Sequence, residues 1–222
     1  MRGLISVLAL LPAFAAQAAD FSAGGASFVL PVTSMKEARF RTTVRQQYDF
    51  SCGSAALATL LSHHYDFPVT EQEIFRDMFV RGDQPRIRSE GFSLLDMKRF
   101  LATRGFTADG FEQPLDKLAQ AGLPAIVLVA DNGYRHFVVV KGVQGERVLL
   151  GDPAGGTRAL SRQGFEAIWQ NRLLFVIHGR PGKARFNETA DWRVAPQALL
   201  AEGISRDSLR DVTVPKLGTS DF

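Results

Sequence analysis

The sequence predicts an α+β fold in which helices come first and an antiparallel sheet follows. Two observations carry this. Between residues 52 and 121 apolar side chains recur at helical spacing, in blocks opened by capping residues and closed by glycine. Between residues 125 and 178 they gather instead into short Val-, Leu- and Phe-rich runs, divided by the turn signals Asp131-Asn132-Gly133 and Gln144-Gly145. Helices and strands segregated in this way fit an α+β plan rather than alternating units around a parallel sheet.

The N-terminus stands apart. Arg2 precedes a nearly all-apolar run from Gly3 to Leu11, and Ala16-Gln17-Ala18 fits a small-x-small cleavage site. Residues 1–19 therefore read as a secretory signal peptide cut after Ala18 or Ala19. Its apolar run is too short to span a bilayer, and no second stretch of membrane length follows, so the mature chain is expected to be soluble and exported, most simply to a bacterial periplasm. Residues 20–39 read as an N-terminal arm with a short strand over Ser27–Val32, where Pro31 marks an edge or turn. Lys36, Arg39, Arg41 and Arg45 make residues 36–45 a solvated approach to the loop that follows.

A first long helix runs from Cys52 to His64. Its apolar positions Ala55, Ala56, Leu57, Leu60 and Leu61 cover much of its circumference, which predicts a central, buried helix. His63 and His64 at its end suit the helix dipole. Thr70-Glu71-Gln72-Glu73 opens a second helix reaching about Val80. Arg81–Gly91, with Gly82, Pro85 and Gly91, reads as an exposed loop bordering a substrate groove. Ser93 caps a third helix with Leu94, Leu95, Met97, Phe100 and Leu101 inward, and Gly105 stops it.

A strand over Phe106–Phe111 and a short helix over Pro114–Ala121 follow. Strands are then expected at Ala125–Ala130, His136–Val143, Arg147–Gly151, Thr157–Leu160 and Leu173–His178, with a helix over Ser161–Trp169 before the last. One domain over residues 40–180 results. Residues 181–222 are polar and punctuated by Pro181, Pro196 and Pro215. They read as a C-terminal extension, partly ordered at best, with a helical stretch near Gln197–Ala201.

Composition narrows the function. The chain has 45% hydrophobic and 22% charged residues and a net charge of +3, with Lys and Arg scattered. Nucleic-acid binding wants a concentrated basic face, so it is not expected. One cysteine and four histidines offer no ligand-spaced cluster, so neither a metal nor another cofactor is expected. A lone cysteine in an exported chain cannot pair within that chain. It is either an inert small hydrophobe or a thiol kept for its reactivity.

Its surroundings favour reactivity. Cys52 sits where the polar loop Gln46-Gln47-Tyr48-Asp49-Phe50-Ser51 meets the first long helix. The N–H groups and partial positive charge of a helix N-terminus push a thiol toward thiolate. His136 opens a strand, and Asp152 ends the next one, sixteen positions later. A hairpin brings such positions side by side, letting Asp152 fix the imidazole of His136 as a base for Cys52. Gln46, six residues before Cys52, and the Cys52 N–H are donors for a developing oxyanion, although the adjacent Gln47 could take the place of Gln46.

The run Gln-x5-Cys-Gly before a small, apolar helix, the later His-Phe-Val-Val-Val and the Gly-Asp-Pro segment together resemble the peptidase C39 family, over residues 40–178. That family comprises papain-like cysteine proteases known as leader-processing domains of bacteriocin exporters. The resemblance implies a papain-like fold with Cys52 as nucleophile, His136 as base then acid, Asp152 as orienter and Gln46 in the oxyanion hole. It implies a polypeptide substrate. Stand-alone exported members of this kind occur in functional-amyloid secretion systems of Pseudomonas-like bacteria, which makes an exported amyloid subunit or a secretion component the expected partner. Ser51 departs from the aspartate usual before the cysteine in exporter-linked members. The alternatives are a non-proteolytic C39-like binding module and an acyltransferase on the same three side chains.

Overall fold

The computed structural model describes residues 18–23, 26–31, 33–131, 133–179 and 184–196. The signal-peptide reading, apart from Ala18 and Ala19, and the helical stretch near Gln197–Ala201 lie outside these residues. Strands β1 (Ala18–Ala23) and β2 (Ala26–Pro31) pair antiparallel, with Ala18 opposite Pro31. Among the described residues no helix is long and apolar enough to cross a membrane.

The helices come first. Helix α1 (Met35–Phe40), capped by Ser34, occupies ground expected to be a solvated approach. Helix α2 (Cys52–Thr59) is buried along its whole length, as its apolar circumference predicts. It widens into a π-helical turn over Leu60–His64, which puts His64 inside the protein rather than at a solvated helix end. Helix α3 (Glu71–Arg81) starts where the Thr70 hydroxyl accepts from the Glu73 N–H.

The segment expected to be an exposed loop contains helix α4 (Gln84–Glu90). The residues read there as breakers are punctuation. Asp83 caps α4, Pro85 sits in its first turn, and Gly91 takes φ +79° at its end. Helix α5 (Leu94–Thr103) begins with a full capping box between Ser93 and Asp96.

Strand β3 (Thr107–Glu112) and helix α6 (Leu115–Ala121) lead into β4 (Ala125–Asp131), β5 (Tyr134–Gln144), β6 (Arg147–Asp152) and β7 (Gly156–Ser161). Helix α7 (Arg162–Ile168) and β8 (Leu173–His178) follow, and α8 (Thr189–Trp192) lies in the last described segment. The six-stranded sheet has the order β3-β8-β4-β5-β6-β7, antiparallel throughout.

Alternation along the strands gives the sheet two apolar faces. Val139, Ile126 and Phe175 face α2, α3 and α5, in one cluster with Leu57, Leu60, Met78 and Phe100. Val138, Val140, Val127 and Leu150 face α6 and α7, in a second cluster with Leu118 and Phe165. The sheet is thus covered on both sides, and α2 is clamped between it and α3 and α5. The α+β architecture with helices on an antiparallel sheet is the one the sequence pattern predicts.

Candidate active site

Cys52 stands at the first turn of α2, where the chain leaves the polar loop. Gly53 is what lets that turn approach so closely. A Cβ there would lie 2.8 Å from Met97 Cε and 3.0 Å from Phe92 Cβ. Cys52 is 8% exposed. It opens onto a cleft of about 570 Å³ that His136 and Phe137 also line. The cleft's apolar walls are Phe92, Leu94, Leu95 and Leu128, and α4 supplies Arg86 and Glu90. The segment after residue 81 does border a groove, but as a helix.

His136 and Asp152 meet as the hairpin register dictates. Val139 pairs with Gly151, which sets Asp152 beside Val138, two residues from His136 on the same parity of the strand. His136 Nε2 lies 3.3 Å from Asp152 Oδ2, with both side chains buried. An ionised carboxylate only accepts, so Nε2 carries the proton and Nδ1 is left with its lone pair. That Nδ1 is buried and has no hydrogen-bond partner.

Asp152 is held on every side. Its Oδ1 accepts from the Ala154 N–H at 2.9 Å and the Gly155 N–H at 3.3 Å, and Arg158 approaches Oδ2 at 3.2 Å. Burial pushes its pKa up, but the hydrogen bonds from His136 and Ala154 and the nearby positive charges outweigh it. The carboxyl is held below its ordinary range.

The thiol behaves otherwise than its helix position predicts. Burial pushes the Cys52 pKa up, and the backbone of Phe137, Gly53 and Cys52 only partly opposes it, while the Asp152 charge adds to the rise. The reason is that all of α2 is desolvated, so the favourable backbone dipoles act on a group taken out of water. Burial thus favours the thiol over the thiolate. The thiol becomes a thiolate by giving its proton to a base.

The two glutamines separate. Gln47 Oε1 accepts from Gln72 Nε2 of α3 at 3.1 Å, away from the cleft. Gln46 is tied through its N–H to the Pro153 carbonyl at 3.1 Å, one residue past Asp152. Its Nε2 donates to the Tyr48 carbonyl at 3.3 Å, and its Oε1 is buried without a partner.

Two neighbours carry no signal in the sequence. Tyr134 stacks on His136 with ring centroids 5.2 Å apart, and its hydroxyl donates to the Asp49 carbonyl at 2.9 Å. It joins the strand that carries the histidine to the loop that carries the cysteine. Arg158 on β7 lies within reach of both Asp152 and Asp131. The alternation of β7 could have placed Arg158 near the β6 end, but only the fold gives it Asp152. The other histidines lie elsewhere: His178 pairs with Asp109 at the sheet edge at 2.6 Å, and His64 faces the far end of α2.

The peptidase C39 family model matches residues 41–180. The chain belongs to the peptidase C39 family. It is 41% identical over 181 residues to the probable functional amyloid protease FapD of Pseudomonas fluorescens, covering 80% of each chain. It is 41% identical over 184 residues to the probable functional amyloid protease FapD of Pseudomonas aeruginosa, covering 81% of each. The crystal structure of the peptidase domain of Streptococcus ComA, a bi-functional ABC transporter, superposes with a TM-score of 0.52 at 21% identity, over 62% of this chain and 98% of that one. This last likeness concerns the fold alone. As a C39 family member the chain is a peptidase of papain-like fold.

Proposed function

We propose that this C39 peptidase is an exported, periplasmic cysteine endopeptidase that cuts a polypeptide of a functional-amyloid export system. The observation that carries the chemistry is the buried, unpartnered Nδ1 of His136, whose opposite nitrogen is fixed by Asp152, on the same cleft as Cys52. That arrangement is a base with its proton acceptor free and its tautomer set.

The Cys52 thiol gives its proton to His136 Nδ1, and Asp152 stabilises the imidazolium. The thiolate attacks the substrate carbonyl carbon, and the C=O π pair moves onto oxygen. The Cys52 N–H and the side-chain amide of Gln46 receive that oxyanion. Imidazolium Nδ1–H then protonates the departing nitrogen as the C–N bond breaks, leaving a thioester. Water, deprotonated by the same nitrogen, attacks the thioester, releasing the carboxylic acid and returning the thiol.

The cleft, lined by Arg86 and Glu90 of α4, by Phe92–Leu95, and by Leu128 and Arg135–Phe137, is where the substrate chain would lie. The names of the Pseudomonas relatives support the choice of an amyloid-system polypeptide, and the Gly3–Leu11 run with its cleavage site supports export. The test is Cys52→Ala in the producing cell. Mass spectrometry of periplasmic proteins should show an N-terminus that is present with Cys52 and absent from the folded variant. Identical N-termini in both strains would overturn the proposal.

A further inference from the structure

The family model ends at residue 180, yet the described segment 184–196 is built into the domain. It lies along β5 where the pairing with β6 slips between Val140 and Gly142. Asn187 takes the place of a ladder partner there. Its N–H donates to the Lys141 carbonyl at 3.0 Å, its Oδ1 accepts from the Val143 N–H at 2.8 Å, and its Nδ2 donates to the Val143 carbonyl at 3.0 Å. Gly142 is needed beneath it, since a Cβ would collide with Asn187.

This seating delivers a charge into the interior. Lys141 is fully buried, and an ammonium has three protons to place. Lys141 donates to the Thr42 carbonyl at 2.8 Å and to the Thr42 hydroxyl at 2.7 Å, and pairs with Asp191 Oδ1 at 3.0 Å. The Thr42 hydroxyl in turn donates to Asp191 at 2.5 Å. All three protons are used, and among the described residues the counter-charge comes from Asp191, beyond residue 180. Burial lowers the Lys141 pKa, and Asp191 is what opposes the loss of its proton.

Thr42 begins a strap that ends at Gln46. Thr43 Oγ1 meets Thr157 Oγ1 at 2.8 Å, the Val44 N–H donates to Thr59 Oγ1 at 2.9 Å, and the Gln46 N–H reaches Pro153. We infer that Asp191 is a positioning residue for catalysis: through Lys141 and Thr42 it fixes the strap that places the Gln46 amide at the oxyanion. The 184–196 segment is thereby part of the working peptidase. This rests on the oxyanion role of Gln46 given above.

The test compares two reactions of purified protein. Acylation by p-nitrophenyl acetate passes through an oxyanion: the thiolate adds to the ester carbon, and p-nitrophenolate leaves as the acetyl thioester forms. Alkylation by iodoacetamide is displacement at a saturated carbon and forms no oxyanion. Gln46→Ala should slow acylation by about 10²-fold, the loss of one oxyanion donor. Asp191→Asn should slow it by roughly 10-fold or more, as misplacement of a positioned group does. Alkylation should change less than about twofold in both, since neither variant touches the Cys52–His136 pair.

In the Gln46→Ala background Asp191→Asn should add no further loss. Thr42→Val repeats the experiment with no change of charge. Normal acylation in Asp191→Asn and Thr42→Val overturns the inference while leaving Gln46 in place. Losses that simply multiply in the double variant, or alkylation falling in step with acylation, assign Asp191 to general stability and overturn it too. An unaffected Gln46→Ala overturns both readings at once.

Discussion

Replacing Asp152 by asparagine isolates what the carboxylate does for His136. The amide is nearly isosteric, so packing is preserved. Its carbonyl stays with the Ala154 and Gly155 N–H groups, because two donors already aim at that side. The NH2 then falls where Oδ2 was, facing the Arg158 guanidinium and His136 Nε2. Two donors cannot satisfy each other, so Nε2 must become the acceptor and the imidazole proton moves to Nδ1. That is the nitrogen needed to take the thiol's proton. A triad locked in the wrong tautomer loses about 10⁴ in kcat, or roughly 5.5 kcal/mol of barrier. Because burial raises the Cys52 pKa, forming the thiolate depends on the base. The assay is kcat/KM for peptide cleavage alongside the second-order rate of iodoacetamide alkylation at pH 7, and both should fall together. Asp152→Ala should be the milder variant, since it leaves Nε2 free to donate to water. If Asp152→Asn keeps more than a tenth of wild-type activity, or exceeds Asp152→Ala, the tautomer argument is wrong.

Acid should destabilise the protein through His64. Its Nδ1–H donates to the Arg185 carbonyl at 2.6 Å, Nε2 is buried without a partner, and burial together with the Lys141 charge lowers the pKa from 6.5 to about 4. Between those values the unfolded chain binds a proton that the folded one refuses. Stability is complete above the unfolded value and is lost as pH falls through the window, by up to about 3 kcal/mol or roughly 6–12 °C in Tm. Thermal melts of His64→Gln should lose that slope, and an unchanged slope would reassign it. Asp152 acts lower still: its depressed pKa keeps its contribution intact above the ordinary carboxylate range, and removes it only as pH falls below that range. Gly53→Ala should cost about 1–3 kcal/mol in urea unfolding, because the Met97 terminus can yield but Phe92 Cβ cannot. A variant as stable as wild type would mean that the α2 contact relaxes freely.

Much of the site was legible because its parts are local patterns. A cysteine at a loop–helix junction, a histidine opening a strand and an aspartate at the end of the next follow from periodicity and hairpin geometry, and the register Val139–Gly151 brings the last two together. The α4 segment is a helix where a loop is expected, because Gly82, Pro85 and Gly91 serve equally as loop breakers and as helix punctuation, and one sequence does not say which. The helix N-terminus beside the thiol is visible in sequence, but the burial that opposes its effect is not.

By itself, the sequence determined the order of helices and strands, the burial of α2 and the candidates for the reactive side chains, since each depends on residues within a few positions of one another. Only the tertiary structure decided that the Gln46 N–H bonds the Pro153 carbonyl while the Gln47 side chain bonds Gln72, that Tyr134 bridges histidine and loop, and that Asp191 neutralises Lys141. Those pairings join residues far apart in the chain, and which donor meets which acceptor is set by packing that no local pattern encodes.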